Sequence, residues 1–412
     1  MNASLSKIVA SRYDGRNIPV ALVLPDGGRL ALSQPTEVDI YARTWSGLRA
    51  LASPELGRLA RAYVRGDLDF SGGSRRMLGI AESLVGSVNH GRERAHARLM
   101  QWWHQRRGNR LNIAHHYDVS DAFYALWLDR RMVYSCAYFR SDADTLDLAQ
   151  TQKLDHICRK LMLRPDEEFL DIGCGWGGLI FRAAEQYGVK ASGITLSENQ
   201  YDHVRAEIDR RGLAGRVDVQ LLDYQDLPAG KLYDKIASIG MFEHVGIRNY
   251  PRYFGKIYSV LKPGGLVMNH GITQNQVGVE ALGSGISDFV EEFVFPGGQL
   301  AHVSRVIEGL SAQGLELLDA EPLREHYART LWHWVDRLEG NGDAARREAG
   351  EERFRTWRIY LAGSAHAFDR GWLSIFQLLA GKPSADGRMP HPATRDYMYA
   401  PTVAEHRSPV AG

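Results

Sequence analysis

The chain reads as an α/β protein: a doubly wound, Rossmann-like domain with helical insertions, preceded by a small α+β domain. Three observations predict this. Phe169-Leu170-Asp171-Ile172 is a short apolar run, followed by Gly173-Cys174-Gly175-Trp176-Gly177-Gly178 and then by apolar residues at helical spacing from Leu179 to Tyr187. From Phe169 to His270, five strand-like segments alternate with helical ones, the pattern of a parallel sheet covered by helices. Ahead of residue 90, Pro25-Asp26-Gly27-Gly28 separates Val20 to Leu24 from Arg29 to Ser33, a hairpin signature foreign to that pattern.

The totals bound the answer. At 412 residues the chain is long enough for roughly two or three domains and a substantial core. Hydrophobic residues make up 44% and charged ones 24%, the balance of a soluble globular protein. A formal net charge of +1 argues against a general nucleic-acid binder. Cys136, Cys158 and Cys174 are far apart, with neither zinc-ligand spacing nor a disulfide framework, which points to a reducing, cytoplasmic compartment. Met1 to Arg12 lacks the apolar core of a signal peptide, and no apolar run is long enough to span a bilayer. The expectation is a protein that is soluble or touches a membrane from one side.

Residues 1–90 are assigned to an accessory domain for docking or dimerisation. Glu55 to Arg65 has helical periodicity, Gly66-Asp67-Leu68-Asp69 reads as a turn, and no catalytic residue types cluster here. Residues 91–111 form a basic linker: six arginines and one glutamate lie between Gly91 and Arg110, with Trp102 and Trp103 among them. Arginine interleaved with tryptophan suits an anionic lipid surface, and a solvated basic linker is the alternative.

The catalytic domain is placed at 112–382. His115 and His116 are read as structural, because adjacent histidines point apart and no carboxylate is spaced to complete a metal site. Thr151 to Met162 is an amphipathic helix leading into the sheet. After the glycine loop, Val189 to Thr195 is a second strand; in doubly wound folds its end reads a nucleotide ribose, and Thr195 and Gln200 are the candidates. Gln200 to Asp209 is helical, and Val217 to Leu222 is a third strand whose end, Asp223-Tyr224-Gln225, would flank an adenine. Tyr233 to Gly240 is a fourth strand delivering Met241-Phe242-Glu243-His244-Val245-Gly246. Tyr250 to Leu261 is a helix, Lys262-Pro263-Gly264-Gly265 a turn, and Leu266 to His270 the fifth strand. Beyond it, His302 to Gln313 is helical and Leu315 to Ala320 strand-like. Phe354 to Leu379 reads as one long aromatic helix, either core or the wall of an acyl-chain tunnel. Residues 383–412, rich in Pro, Arg and Ala, are assigned to a mobile tail.

The glycine loop has the pattern D-x-G-x-G-x-G, not the G-x-G-x-x-G of a nicotinamide site. Asp171, just before it, stands where it can meet a cation such as the amino group of S-adenosylmethionine (SAM). Glu243 and His270, at neighbouring strand ends, would lie near the methyl of that cofactor, and either would serve as a base. Glu243 is alternatively a cap for the next helix or a partner of His244.

His116-Tyr117-Asp118-Val119-Ser120, Tyr134-Ser135-Cys136-Ala137-Tyr138, Asp171 to Gly177, Gly193 to Ser197, Met241 to Gly246 and Phe295-Pro296-Gly297-Gly298 together resemble the cyclopropane-fatty-acyl-phospholipid synthase family, which includes the mycolic acid cyclopropane synthases. The resemblance covers roughly Asn112 to Lys382. The preceding domain resembles the N-terminal domain of the phospholipid enzymes, which the mycolic enzymes lack. It implies a reaction in which a cis double bond of an unsaturated phospholipid acyl chain takes the methyl of SAM, and the resulting carbocation loses a proton and closes a ring. Water must be excluded, and aromatic faces can stabilise the cation without attacking it.

The resemblance further implies that the base is a bound bicarbonate held by Cys136 (through its main chain), Glu243, His270, Ile272 (through its backbone) and Tyr327. It places Tyr134, Ser135, Asp171, Gly173 and Gly175 at the methionine end of SAM, Thr195 and Gln200 at the ribose, and Tyr224 and Gln225 at the adenine. Tyr224-Gln225 stands where the mycolic enzymes often carry Trp-Glu, and Glu291-Glu292 is more acidic than is usual before Phe-Pro-Gly-Gly. A peripheral homodimer at the cytoplasmic face of the inner membrane is expected, with no nucleic acid and no metal. The competing readings are a fatty-acid C-methyltransferase that leaves a methylene or methyl branch, and a catalytically silent lipid-binding protein on the same fold.

Overall fold

A computed structural model of the chain describes residues 2–13, 15, 17–85, 119–277, 289, 293 and 300–399. The basic linker 91–111, His115-His116, Glu291-Glu292, Phe295 to Gly298 and the tail beyond 399 lie outside the described residues.

The N-terminal unit comprises α1 (Asn2–Tyr13), β1 (Val20–Val23), β2 (Arg29–Ala31), β3 (Val38–Ala42), α2 (Trp45–Ala52), α3 (Leu56–Val64), β4 (Leu68–Phe70) and α4 (Ser74–Val85). Its sheet runs β2-β1-β3-β4, and the expected hairpin pairs Ala21 with Ala31. The segment read as a turn at 66–69 is a turn only in its first half. Gly66 takes a positive φ of 78°, and Leu68–Phe70 then pairs with β3.

The larger unit continues with α5 (Asp121–Ala125), α6 (Leu146–Lys160), β5 (Glu168–Ile172), α7 (Gly178–Tyr187), β6 (Lys190–Thr195), α8 (Glu198–Arg211), β7 (Val217–Leu221), β8 (Tyr233–Ile239), α9 (Tyr250–Val260) and β9 (Leu261–Gln274). Then come α10 (Val303–Ser311), β10 (Glu316–Pro322), α11 (Arg324–Gly340), α12 (Gly342–Ala349), α13 (Glu351–Asp369), β11 (Leu373–Gly381) and α14 (Asp396–Tyr399). The sheet order is β10-β11-β9-β8-β5-β6-β7, with β5 to β9 parallel and β11 antiparallel to both of its neighbours. Strand order reverses at β5, so the crevice beyond the carboxyl ends of β5 and β8 is the place where such sheets bind ligands.

Three elements differ from the sequence reading. Phe354 to Leu379 is not one helix: α13 ends at Asp369, Gly371 turns the chain at φ 67°, and Leu373–Gly381 enters the sheet between β9 and β10. Lys262 to Gly265 is a bulge inside β9, where pairing with β8 jumps from Leu261 to Leu266. Helix α6 is not amphipathic in the usual sense. Gln150, Lys153, Asp155, His156, Arg159 and Lys160 are all buried, satisfied by internal partners such as Lys160 Nζ to Asp319 at 3.0 Å and Arg182 to Asp155 at 2.7 Å. Within 383–399, assigned to a mobile tail, most residues are exposed, but Met398 is fully buried and Arg395 Nε donates to Asp319 at 2.7 Å. Among the described residues no helix is long and apolar enough to cross a membrane.

Apolar residues of α6, α7 and α8 cover one face of the sheet, and those of α9 and α10 the other. A third core, unusually aromatic, joins α5, α11, α12 and α13 above the strand ends. Helix α13 also ties the two units together. Arg358 donates to Glu339 Oε1 at 2.7 Å, to the Tyr63 hydroxyl at 2.9 Å and to the Gly72 carbonyl at 2.9 Å. The same Glu339 oxygen accepts from the backbone and hydroxyl of Ser74. Arg358→Ala strands a partly buried carboxylate and a tyrosine hydroxyl, so it is expected to lower unfolding free energy by about 2–3 kcal/mol. Urea denaturation of the full chain measures this, and Arg358→Lys is expected to recover only part of the loss because a lysine cannot reach three partners in a plane.

Candidate active site

The site is assembled from the ends of β5, β6, β7, β8 and β9 under the aromatic lobe. At β5, Asp171 is buried, and its Oδ1 has no hydrogen-bond partner. Burial pushes its carboxyl up to about 7, opposed by the nearby charge of Lys153. Gly173 and Gly175 adopt positive φ of 84° and 55°, and a Cβ on Gly173 would sit 3.1 Å from Met241. A glycine there is a requirement of both backbone angle and space.

At β6 the two ribose candidates are joined: the Thr195 hydroxyl donates to Gln200 Oε1 at 2.8 Å and accepts from the Ser197 N–H at 3.2 Å. That bond points the role at the Gln200 amide nitrogen, the group it leaves to donate. At β7, Asp223 caps a single turn, accepting from the Gln225 N–H at 2.9 Å, and Tyr224 packs edge-on against Tyr253 at 5.3 Å.

Glu243 and His270 occupy neighbouring strand ends. Glu243 lies in the turn after β8, and its Oε1 accepts the Ile272 N–H at 2.7 Å, so it neither caps a helix nor pairs with His244. Its Oε2 is buried without a partner. Burial raises this carboxyl to about 7, against backbone hydrogen bonds that pull it down. His270 is buried on β9, its imidazole held well below its ordinary pKa first by burial and then by the charges of Lys153 and Lys160. Gln377, its cross-strand partner on β11, places its amide nitrogen 3.5 Å from Nδ1, and Nε2 has no partner. Gly271 between His270 and Ile272 is sterically forced: a Cβ would lie 2.0 Å from the Phe242 ring and 2.9 Å from Glu243 Oε1.

The other candidates surround this pair. Tyr327, on α11, packs against Phe368 at 4.8 Å and Trp334 at 6.1 Å. Tyr134 lies among Tyr124, Trp127, Trp334 and Trp357, with ring centroids 5.3–6.0 Å away. Ser135 presents its hydroxyl to Lys153 Nζ at 2.8 Å. Cys136 is fully buried with Sγ directed to the Ala137 carbonyl at 3.2 Å, and burial pushes its thiol far up, so it is no thiolate nucleophile. The Ile272 N–H, expected to face an anion, is already committed to Glu243.

Sequence reasoning missed several neighbours. Gln377 sits on the strand misread as helix. Tyr360, half-buried on α13, feels the Glu243 carboxyl, as does Tyr250, whose hydroxyl is buried without a partner. Trp176 in the glycine loop donates to Asp121 at 2.8 Å, which also meets His203 at 3.1 Å, locking the loop to α5 and α8. The only signal in the sequence was the density of Tyr and Trp.

A carboxyl held neutral by burial weakens the fold once it must ionise. Glu243 contributes stability that is complete below the ordinary value of 4.5 and is lost as pH rises through about 7. Glu243→Gln keeps the acceptor for Ile272 and cannot ionise. It is expected to match the native chain below pH ~4.5 and to become more stable by on the order of 3 kcal/mol above pH ~7. Urea unfolding of both proteins across that range measures the divergence.

Comparison with known proteins agrees with this geometry. The family model "Mycolic acid cyclopropane synthetase" matches residues 104–378. A "Probable fatty acid methyltransferase" of Pseudomonas putida is 42% identical over 383 residues, covering 93% of this chain and 97% of its own. The "Probable fatty acid methyltransferase Rv3720" of Mycobacterium tuberculosis is 36% identical over 407 residues, covering 90% and 93%. Among solved structures, mycolic acid cyclopropane synthase CmaA1 complexed with S-adenosylhomocysteine (SAH) and CTAB superposes with a TM-score of 0.63 at 34% identity, covering 67% of this chain and 99% of its own. The buried acid before the glycine loop, the loop's backbone angles and the strand-end polar groups suit the same cofactor. The chain belongs to the mycolic acid cyclopropane synthetase family and is a SAM-dependent methyltransferase.

Proposed function

We propose that the protein methylates a carbon–carbon double bond in an unsaturated fatty-acyl chain. The observation that carries this is that Glu243 Oε2 and His270 Nε2, on neighbouring strand ends, are both buried without a partner, next to an aromatic lobe that includes Tyr134, Trp334, Trp357 and Tyr360. Relatives that align over nine-tenths of the chain are named fatty acid methyltransferases, which supports an acyl substrate.

The chemistry demands this kind of site. The π electrons of the alkene attack the sulfonium methyl, the S–CH3 bond breaks with its electrons left on sulfur, and the positive charge moves to the neighbouring carbon. SAH leaves neutral. An alkene needs no deprotonation before attack, so a base is needed only afterwards, at a carbon beside a cation. Aromatic faces lower the energy of that cation, and a dry chamber keeps water from trapping it as an alcohol. Neutral His270 keeps Nδ1 3.5 Å from the Gln377 amide nitrogen and leaves a buried Nε2 without a partner, while Glu243 is balanced between acid and base near pH 7.

If the hydrogen on the methylated carbon first shifts with its electron pair to the neighbouring cation, loss of a proton from the new methyl gives a methylene branch, and this is the first reading. Ring closure is the second, favoured by the presence of Cys136, Glu243, His270 and Tyr327 together, the Ile272 N–H being taken up by Glu243. Their orphaned Glu243 and His270 atoms fit a small anion such as bicarbonate, which would supply a base for the late proton. Glu243, His270 and Tyr327 are the residues that would hold it. In either case the proposed setting is the cytoplasmic face of the inner membrane, with a peripheral homodimer acting on phospholipid chains.

The test is mass spectrometry and NMR of lipid recovered from unsaturated phospholipid vesicles incubated with SAM and bicarbonate. A gain of CH2 with olefinic methylene protons supports the branch, and a gain of CH2 with cyclopropane protons supports ring closure. Intact lipid alongside bound SAM would overturn the acyl reading. Glu243→Gln is expected to reduce turnover by roughly 100-fold or more while SAM affinity stays within about twofold. A comparable loss of SAM affinity would move Glu243 into the cofactor shell.

A further inference from the structure

Helix α6 carries a buried cation that bonds Ser135, a residue the family resemblance sets by the methionine end of SAM. Lys153 is 2% exposed, and its Nζ donates to Ser135 Oγ at 2.8 Å. One turn earlier, the Gln150 amide donates to the carbonyls of Val133 and Ser135 at 3.2 and 2.8 Å. Gln150 and Lys153 thus clamp the loop that carries Tyr134 and Ser135. The loop's other end is held by Asp129, whose two oxygens accept the N–H groups of Val133 and Arg131 at 2.8 and 3.0 Å.

The Lys153 ammonium donates to a neutral hydroxyl, that of Ser135, while Asp129 and Asp171 both act on its charge. Asp171 in turn has a buried oxygen with no partner at all. A buried ammonium and a buried carboxyl oxygen left without a partner are costly unless a ligand completes both. The methionine end of SAM is a zwitterion, carrying one charge of each sign.

We propose that Lys153 is a positioning residue for the carboxylate of the cofactor's methionine end, acting directly and through Ser135, while Asp171 takes the amino group. This rests on the SAM reading of the site. Burial lowers the Lys153 ammonium only to about 8, so it remains largely charged at neutral pH. A charge of each sign, fixed on α6 and β5, would orient the cofactor before lipid arrives. It would also distinguish SAM from sulfonium nucleosides that lack the amino-acid carboxylate.

Calorimetric titration of the full chain with three probes tests this: SAH, its decarboxylated analogue and 5′-methylthioadenosine, which lacks the amino-acid end. The native protein is expected to bind SAH at least tenfold more tightly than the decarboxylated analogue. Lys153→Met is expected to weaken SAH by about 10- to 100-fold and leave methylthioadenosine within about twofold. Ser135→Ala, a milder change that spares the fold, is expected to weaken SAH selectively by several-fold. Equal weakening of all three probes by both variants would make Lys153 a structural residue and overturn the proposal, as would unchanged SAH binding. Failure of the native chain to bind SAH would instead overturn the cofactor reading itself.

Discussion

The site depends on the burial of a carboxyl that has no cation beside it. Glu243 keeps one oxygen on the Ile272 N–H and leaves the other buried without a partner among the described residues, and burial holds its proton near pH 7. Such a group is expensive to fold around, and His270 beside it carries the same kind of cost with the opposite preference. A site built for stability would have paired them or replaced them with apolar residues. Their isolation suits a reaction whose intermediate is a carbocation, because every water admitted to satisfy them is also a nucleophile.

The fold supplies that isolation through topology. Glu243 follows β8 and His270 ends β9, next to the strand-order reversal where the crevice opens, and Gly271 lets the Phe242 ring and the carboxylate close over the backbone. The antiparallel insertion of β11 brings Gln377 to His270. Helices α11 and α13 then roof the strand ends with tryptophan and tyrosine. Because α13 also grips the N-terminal unit through Arg355 and Arg358, the roof and the accessory domain share one helix.

Much of this was legible in the sequence, for physical reasons. The glycine loop announced itself because positive φ and close approach admit few other residues. Glu243, His270, Thr195 and Asp171 were legible because a strand end in an α/β sheet has one predictable location. Strand β11 was not, since an aromatic and apolar run satisfies a buried strand as well as a helix, and only Gly371 marks the break. Lys153 was equally hidden. A lysine on a helix reads as solvent-facing, and its burial follows from tertiary partners supplied by the 133–135 loop and β5. Gln377, Tyr360 and Tyr250 entered the site from elements whose packing no local pattern reports.

The proposed reading therefore joins a SAM site at the glycine loop to an aromatic chamber that excludes water and holds a poised acid. The measurement that tests this most directly is the protonation of Glu243 itself, followed by infrared difference spectroscopy in the SAH-bound protein from pH 5 to 9, with Glu243→Gln as the reference. The account predicts a protonated carboxyl band, absent from the variant, that titrates near 7. A Glu243 that is fully ionised at pH 5 would mean that water or a cation reaches it, and the dry chamber would be contradicted.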